Sequence, residues 1–238
     1  MVRNHAAKPR LILDLRYVNK HLRSCKFKYE DIRTAADLFN KSDWFFKFDY
    51  TSGYHHVDIF PEHTQFLGCS WWVNDCRKFY KFTVLPFGLA NGPYVFSKKQ
   101  RAVVKHWRGK GLRVFTYLDD RAGAESTREV AQQTSNLVQQ DIKQSGFVAH
   151  KNKCQWEPVQ SGELLGFVMD LASGTFRVPQ RRVESLQQAL RGIVGGGLTT
   201  SARSLSHLTG LLVSMSLALG PVVRLWTRGL YRFGIIGA

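Results

Sequence analysis

Apolar and polar positions follow two rhythms along the chain, and the change between them sorts the elements. Lys8-Pro9-Arg10-Leu11-Ile12-Leu13-Asp14-Leu15-Arg16 reads as a basic loop entering a short strand. Trp44-Phe45-Phe46-Lys47-Phe48-Asp49 is an aromatic run of strand type, and Thr51-Ser52-Gly53 behind it is turn chemistry. Residues 64–72 and 77–84 flank Asn74-Asp75 and predict a hairpin. Pro93 predicts the opening of a helix through Trp107, which Gly109 and Gly111 end before a strand over 112–117. Ser126-Thr127-Arg128-Glu129 predicts a capping box, with Ser126 as cap and Glu129 reaching back. Val130, Leu137, Val138 and Ile142 then keep helical spacing until Gly146. Leu164–Met169 and Thr175–Val178 predict a second hairpin around Ser173-Gly174. From Pro179 onward the rhythm is helical only: Val183/Leu186/Leu190 and Leu205/Leu208/Leu212, separated by Gly195-Gly196-Gly197. A mixed α+β body with a small all-helical end is expected.

Composition narrows the class. With 238 residues and 44% apolar positions the chain has ample material for a core, which excludes disorder of the chain as a whole. A net charge of +16 and a pI near 10.0 point to a polyanionic partner, nucleic acid first and an anionic membrane second. The start, Met1-Val2-Arg3-Asn4-His5, has no apolar segment of signal-peptide type. The longest apolar run, Leu211 to Val223, is interrupted by Ser214, Ser216, Gly220 and Pro221, and it is shorter than the roughly 20 residues that span a bilayer. Cys25, Cys69, Cys76 and Cys154 lack C-x-x-C spacing, so reduced and mostly buried thiols are expected rather than a zinc knuckle. His55-His56 and His63 have no Cys or carboxylate to complete a zinc set and are read as core or rim residues. A soluble intracellular protein without a membrane partner is the expectation.

The candidate chemistry lies in carboxylates at strand ends. Asp119-Asp120 follow Val114-Phe115-Thr116-Tyr117-Leu118, and Arg121-Ala122-Gly123-Ala124 can return as the partner strand. That arrangement puts both carboxylates at a hairpin tip, open to a hydrated cation. Asp49 likewise ends an apolar strand, and the two acidic ends converge if those strands lie side by side. Oxygen-only ligands suit Mg²⁺, and two such ions about 4 Å apart activate an attacking hydroxyl and stabilise a leaving oxygen.

Phe48-Asp49-Tyr50-Thr51-Ser52-Gly53-Tyr54-His55 resembles the first catalytic motif of reverse transcriptases. Leu85-Pro86-Phe87-Gly88-Leu89-Ala90-Asn91-Gly92-Pro93 resembles their second, and Tyr117-Leu118-Asp119-Asp120 their aspartate pair. Lys8 to Asn19 is similar to the fingers motif, Gly146 to Cys154 to the late-palm motif, and Leu164 to Phe167 to the primer grip. The style is that of retrotransposon enzymes, DIRS-like or Gypsy-like.

The resemblance implies an α+β right-hand polymerase fold, with an antiparallel palm sheet backed by helices. Partial fingers would be residues 1–43, the palm 44–178 with a fingers insertion at 58–86, and the helical thumb 179–238. It implies RNA-directed DNA polymerase activity: nucleotidyl transfer from a dNTP to a DNA primer 3′-hydroxyl on an RNA or DNA template. Two Mg²⁺ ions, or Mn²⁺ in their place, would be held by Asp49, Asp119, Asp120 and the Tyr50 carbonyl. Tyr54 would stack under the incoming sugar and exclude a 2′-hydroxyl. Arg10 and Lys8 would meet the triphosphate, Phe87 and Gly88 would floor the nucleotide pocket, and Lys153 would protonate the departing pyrophosphate. Leu165, Gly166 and Phe167 would grip the primer end, while Asp14 and Arg16 form a structural ion pair. Arg177, Arg181, Arg182, Arg191, Arg203, Arg224, Arg228 and Arg232 would track the duplex backbone without reading bases. Only seven residues precede Lys8, so a truncated enzyme is expected, with a catalytically inactive nucleic-acid-binding fragment as the alternative.

Overall fold

In the computed structural model, residues 11–195 and 200–236 are described, with side chains as far as Leu230. The chain divides into two compact units, Met1–Phe39 with Trp44–Pro158, and Asn40–Asp43 with Val159–Ala238. The break therefore falls earlier than the change of rhythm at Pro179, because a small sheet joins the helices that follow it.

The first unit runs α1 (Arg16–His21), α2 (Ile32–Leu38), β1 (Trp44–Phe48), β2 (Gly68–Val73), β3 (Cys76–Lys81), α3 (Gly92–Gly109), β4 (Arg113–Tyr117), β5 (Asp120–Glu125), α4 (Arg128–Gln144) and β6 (Gln155–Val159). Its main sheet has the order β4-β5-β1-β6. β5 is antiparallel to both neighbours, pairing Arg121 with Phe48 on one side and Asp120 with Tyr117 on the other. β1 and β4 are thus not side by side, the condition under which the sequence has their acidic ends converge; β5, the return strand expected from Arg121-Ala122-Gly123-Ala124, lies between them.

Directly opposed residues point to the same face of a sheet, so Phe46, Phe48 and Arg121 share one side. Phe96, Val104 and Trp107 of α3 and Val138 and Ile142 of α4 close that side into a core with Phe46, Phe48 and Val114. With the buried Gln100 between Phe96 and Val104, the α3 positions fall at the four- and three-residue spacing of one helical stripe. Trp107 Nε1–H donates to Asp141 Oδ2 at 2.9 Å, tying α3 to α4. The cap of α4 is Thr127, whose hydroxyl accepts from Val130 N–H at 3.3 Å, and not Ser126. β5 extends through Glu125, which leaves Ser126 in the link and moves the helix start one residue on. β2 and β3 form a separate ribbon whose turn residues Asn74 and Asp75 have φ of 49° and 57°, as a tight hairpin turn requires.

The second unit contains β7 (Ser161–Leu164), β8 (Phe167–Asp170), β9 (Thr175–Arg177), α5 (Gln180–Gly195), α6 (Ala202–Ser214), α7 (Ser216–Leu219) and α8 (Val222–Ile236). The strands make a meander, β7-β8-β9. The expected single strand over 164–169 is interrupted, because Leu165 and Gly166, at φ 49° and 73°, form a turn that pairs Leu164 with Phe167. The apolar run from Leu211 is divided at Gly220 (φ 79°) and Pro221, and α8 beyond them is an element the periodicity did not separate. Among the described residues no helix is long and apolar enough to cross a membrane. The cysteines are free; Cys76 is exposed and Cys25, Cys69 and Cys154 are half-buried, so the expected burial of most of them does not hold.

Candidate active site

β1 delivers Asp49 just past its last residue, where the backbone is tied to the segment after α4. Asp49 O accepts from His150 N–H at 2.8 Å, and Asp49 N–H donates to Cys154 Sγ at 3.3 Å. The Cys154 thiol also donates to Asp49 O at 3.4 Å, and burial pushes its pKa up. Expected from the sequence only as a reduced, buried thiol, Cys154 fixes the main chain of the first acidic residue. Tyr50 bridges Ala149 through bonds of the neighbouring residues, Thr51 N–H to Val148 O and His150 N–H to Asp49 O, so its own carbonyl takes no part in that bridge.

The β4–β5 turn carries the aspartate pair, with Asp119 exposed and Asp120 half-buried. Leu118 sits in this turn at φ 45°, a left-handed conformation that costs a side-chain-bearing residue about 1–2 kcal/mol. Two donors meet its carbonyl, Gln100 Nε2 at 3.3 Å and Arg121 Nη2. Arg121 Nη1 donates to Asp119 O at 3.1 Å and lies 3.7 Å from Asp49 Oδ1. The guanidinium is 3.9 Å from the centre of the Tyr50 ring and 5.8 Å from that of Phe96. Burial pulls the guanidinium below its usual range, opposed by Tyr50, Asp119, Asp49 and Asp120. Asp49 and Asp119 therefore meet through one buried cation. The motif gave Arg121 no role; its signal in the sequence is a lone charge at the head of an otherwise small, apolar strand, Arg121-Ala122-Gly123-Ala124.

Lys153 Nζ is 3.0 Å from Asp49 Oδ2, with 59% of its side chain exposed. Burial pushes the Asp120 carboxyl above its ordinary range; Asp49 and Asp119 add to the rise, and Lys47 and Arg121 oppose it. The donor set is all oxygen, with the Tyr50 carbonyl outside the bridge and three carboxylates near enough to raise one of their number, which suits a hard divalent cation. Among the described residues, no three His, Cys, Asp or Glu side chains are drawn close enough to form a metal-binding group. Asp49 faces Arg121 and Lys153 instead.

Tyr54 is half-buried and stacks on Phe87, ring centres 5.0 Å apart at 19°. Burial pushes its hydroxyl up to about 12, with Tyr29 and Asp119 contributing. Gly53 lies so near Phe96 that an added Cβ would come within 2.7 Å of the ring, which explains a glycine beside this tyrosine. Gly88 has φ 107°, and a Cβ there would come within 2.3 Å of Leu13 O. The approach lets the 11–19 segment pin the Phe87 loop: Leu13 N–H donates to Phe87 O at 3.1 Å, Asn19 Nδ2 to Gly88 O at 2.9 Å, and Ala90 N–H to Asn19 Oδ1 at 2.8 Å. Asp14 and Arg16 make the expected ion pair at 2.7 Å, whose hydrogen bonds hold the Asp14 carboxyl down at about 2. Lys8 and Arg10 lie outside the described residues.

Leu165, Gly166 and Phe167 belong to the second unit. Phe167 is buried under Arg182, Gly166 O accepts from Arg182 Nη1 at 2.6 Å, and Leu165 is half-buried at the turn. Arg182 also donates to Ser214 Oγ at 2.7 Å, Arg181 pairs with Glu163, and Arg177 with Asp170 at 3.4 Å. These three of the expected backbone-tracking arginines brace their own unit, while Arg191, Arg203, Arg224 and Arg228 are exposed; the side chain of Arg232 lies outside the described residues.

Residues 2–169 match the family described as reverse transcriptase (RNA-dependent DNA polymerase). The chain is 28% identical over 149 residues to Polyprotein P3 of Commelina yellow mottle virus, covering 61% of this chain and 7% of that protein. It is 31% identical over 112 residues to the retrovirus-related Pol polyprotein from transposon 412 of Drosophila melanogaster, covering 47% of this chain and 8% of that protein. The chain thus spans under a tenth of the length of these two relatives. The fold is shared with a foamy viral protease-reverse transcriptase solved in complex with double-stranded DNA, at a TM-score of 0.77 and 17% identity over 97% of this chain and 38% of that one. The expected α+β class of right-hand polymerase type is borne out by that likeness.

Proposed function

Because the chain belongs to the reverse transcriptase family, of the retrotransposon kind its motifs indicated, we propose that it copies a template strand into DNA at the Asp49–Asp119 site. One observation carries this reading: Asp49 and the Asp119 turn, 70 positions apart in the chain, meet the same guanidinium beside the stacked Tyr54–Phe87 pair. Residues 1–43 and 58–86 serve as fingers, 44–57 and 87–178 as palm, and 179–238 as thumb.

Asp49, Asp119, Asp120 and the Tyr50 carbonyl would hold two Mg²⁺ ions, or Mn²⁺, which supply activation of the primer hydroxyl and charge stabilisation at the phosphate. The rest falls to the chain's own groups. Tyr54, clamped between Phe87 and Phe96, offers a rigid wall under the sugar and leaves no room for a 2′-hydroxyl. Lys8 and Arg10 would pair the triphosphate, for which a guanidinium has the right fork. Lys153 Nζ would leave Asp49 and give its proton to the departing pyrophosphate. Phe87 and Gly88 form the floor, kept in place by the 11–19 segment, and Leu165, Gly166 and Phe167 steady the primer end. The foamy viral enzyme of the same fold was solved on double-stranded DNA, which agrees with a primer–template partner, and the exposed arginines of α5, α6 and α8 suit a duplex backbone.

The test is primer extension on an RNA template with Mg²⁺ and dNTPs, beside Asp119→Asn. Extension that this change abolishes is the expected result, with Tyr54→Ala admitting rNTPs at least about tenfold better. Duplex binding without extension in either protein overturns it in favour of a binding fragment. The observation behind that second reading is that Asp49 is already matched by two side-chain cations and no three-ligand cluster is formed among the described residues.

A further inference from the structure

Arg121 is placed as no stability argument would place it. Its side chain is 1% exposed, so the charge is removed from water at a cost that only excellent pairing offsets. The pairing is not excellent: Nε is buried without a hydrogen-bond partner, and the approach to Asp49 Oδ1 is 3.7 Å, longer than a hydrogen bond. What the guanidinium does reach is the site itself: the carbonyls of Leu118 and Asp119, the Asp49 carboxylate and the Tyr50 ring. It clamps the one strained residue of the aspartate turn, Leu118, from the inside. With Lys153 on Oδ2, both oxygens of Asp49 face side-chain cations.

We propose that Arg121 is an internal counter-cation of this site: a positioning residue that ties Asp49 to the Leu118–Asp119 turn while no metal is bound, and that weakens divalent-ion binding by competing for Asp49. The proposal rests on the reading above that Asp49, Asp119 and Asp120 hold the ions. Lys153, largely exposed, can swing away when an ion arrives; Arg121 cannot, because Tyr50, Phe96 and two carbonyls enclose it. An entering ion therefore meets a fixed positive charge on the interior side, and its affinity is set against that charge. The same charge keeps the carboxylates from driving the empty site apart.

The experiment is Mn²⁺ binding to the whole chain, followed by the free-ion signal in electron paramagnetic resonance at constant ionic strength. Arg121→Gln, neutral but still a donor, is expected to bind Mn²⁺ about tenfold more tightly than the parent. Arg121→Lys keeps the charge and is expected to stay within about threefold of the parent. Arg121→Gln binding no more tightly than the parent overturns the proposal, as does Arg121→Lys tightening as much as Arg121→Gln, because the effect would then not be the charge. If Arg121→Gln does not fold, the unaltered chain decides. Its Arg121 Nε–H resonance, assigned by its loss in Arg121→Lys, should move on Mg²⁺ titration, and a signal that stays put overturns the idea. Asp49→Asn and Asp119→Asn separate the two levels: if neither weakens Mn²⁺ binding, the ion-site reading itself fails, whereas if both do and Arg121→Gln changes nothing, only the role of Arg121 is lost.

Discussion

Gly88→Ala isolates the joint between the 11–19 segment and the nucleotide-pocket floor. At φ 107° an alanine is in backbone territory that glycine alone occupies comfortably, which costs about 1–3 kcal/mol. The new methyl would start 2.3 Å from Leu13 O, so the carbonyl must retreat by roughly 1 Å to reach ordinary contact. That retreat strains the 3.1 Å bond from Leu13 N–H to Phe87 O, worth about 1 kcal/mol. A local penalty of about 2–4 kcal/mol follows. It falls on a joint rather than on the core, so the first event is undocking of the segment. Trypsin reports this directly, since Arg16, Lys20 and Arg23 lie in or beside the segment: Gly88→Ala should be cut there at least tenfold faster, by roughly the 1.4 kcal/mol-per-decade rule. Gly109→Ala is the control, because nothing lies within 4 Å of its added Cβ and its φ is not positive. Equal cutting rates for Gly88→Ala, Gly109→Ala and the parent would refute the steric reasoning.

Other changes probe other levels. Thr127→Ala should lower stability by about 1 kcal/mol while Ser126→Ala stays within about 0.5 kcal/mol, read from urea midpoints. Phe48→Ala removes a fully buried ring that stacks on Trp156 and meets Trp107 edge-on, and about 3–5 kcal/mol of unfolding free energy should go with it. Asp120→Asn tests the raised carboxyl. A folded pKa above the unfolded one means stability is fully present below the ordinary carboxylate range and falls as pH rises through the folded value. The metal-free Asp120→Asn chain should therefore melt above the parent at neutral pH and level with it in acid, and equal melting temperatures at neutral pH would contradict the desolvation argument.

The elements written in strict local chemistry were the legible ones. Asn74-Asp75 forms the expected hairpin turn, Pro93 lies in the first turn of α3, and Gly146 follows α4 at φ 80°. What was not legible depended on partners far along the chain. The return of Arg121-Ala122-Gly123-Ala124 beside β4 was legible as a hairpin, but no local rule says that β1 pairs with the far side of that return strand and not with β4. Leu165-Gly166 hid inside an apolar run because Leu at φ 49° is an improbable turn residue. Cys154 and Arg121 escaped for a common reason. Each acts on Asp49 from a distant point in the sequence, through a backbone bond or a buried ion, and neither leaves a periodic trace.

The pairing of Phe48 with Arg121 and of Phe46 with Gly123 has a bearing on how the chain finds its native state. Strand side chains alternate between the two surfaces of a sheet, and both surfaces of β5 are buried, with Phe45, Phe115, Ala122 and Ala124 on the side away from Arg121. Sliding β5 by a single residue would carry Arg121 off Asp49 to that apolar side and drive the Asp120 carboxylate in among phenylalanines. It would also set Ala122 or Ala124 where the Phe46 ring leaves no space for a side chain at Gly123. Misaligned assembly is thus penalised twice, by an unmatched anion in oil and by crowding. The alignment that survives is the one that brings the acidic ends together, so a chain that has assembled its interior correctly has no separate search left to make for its chemistry.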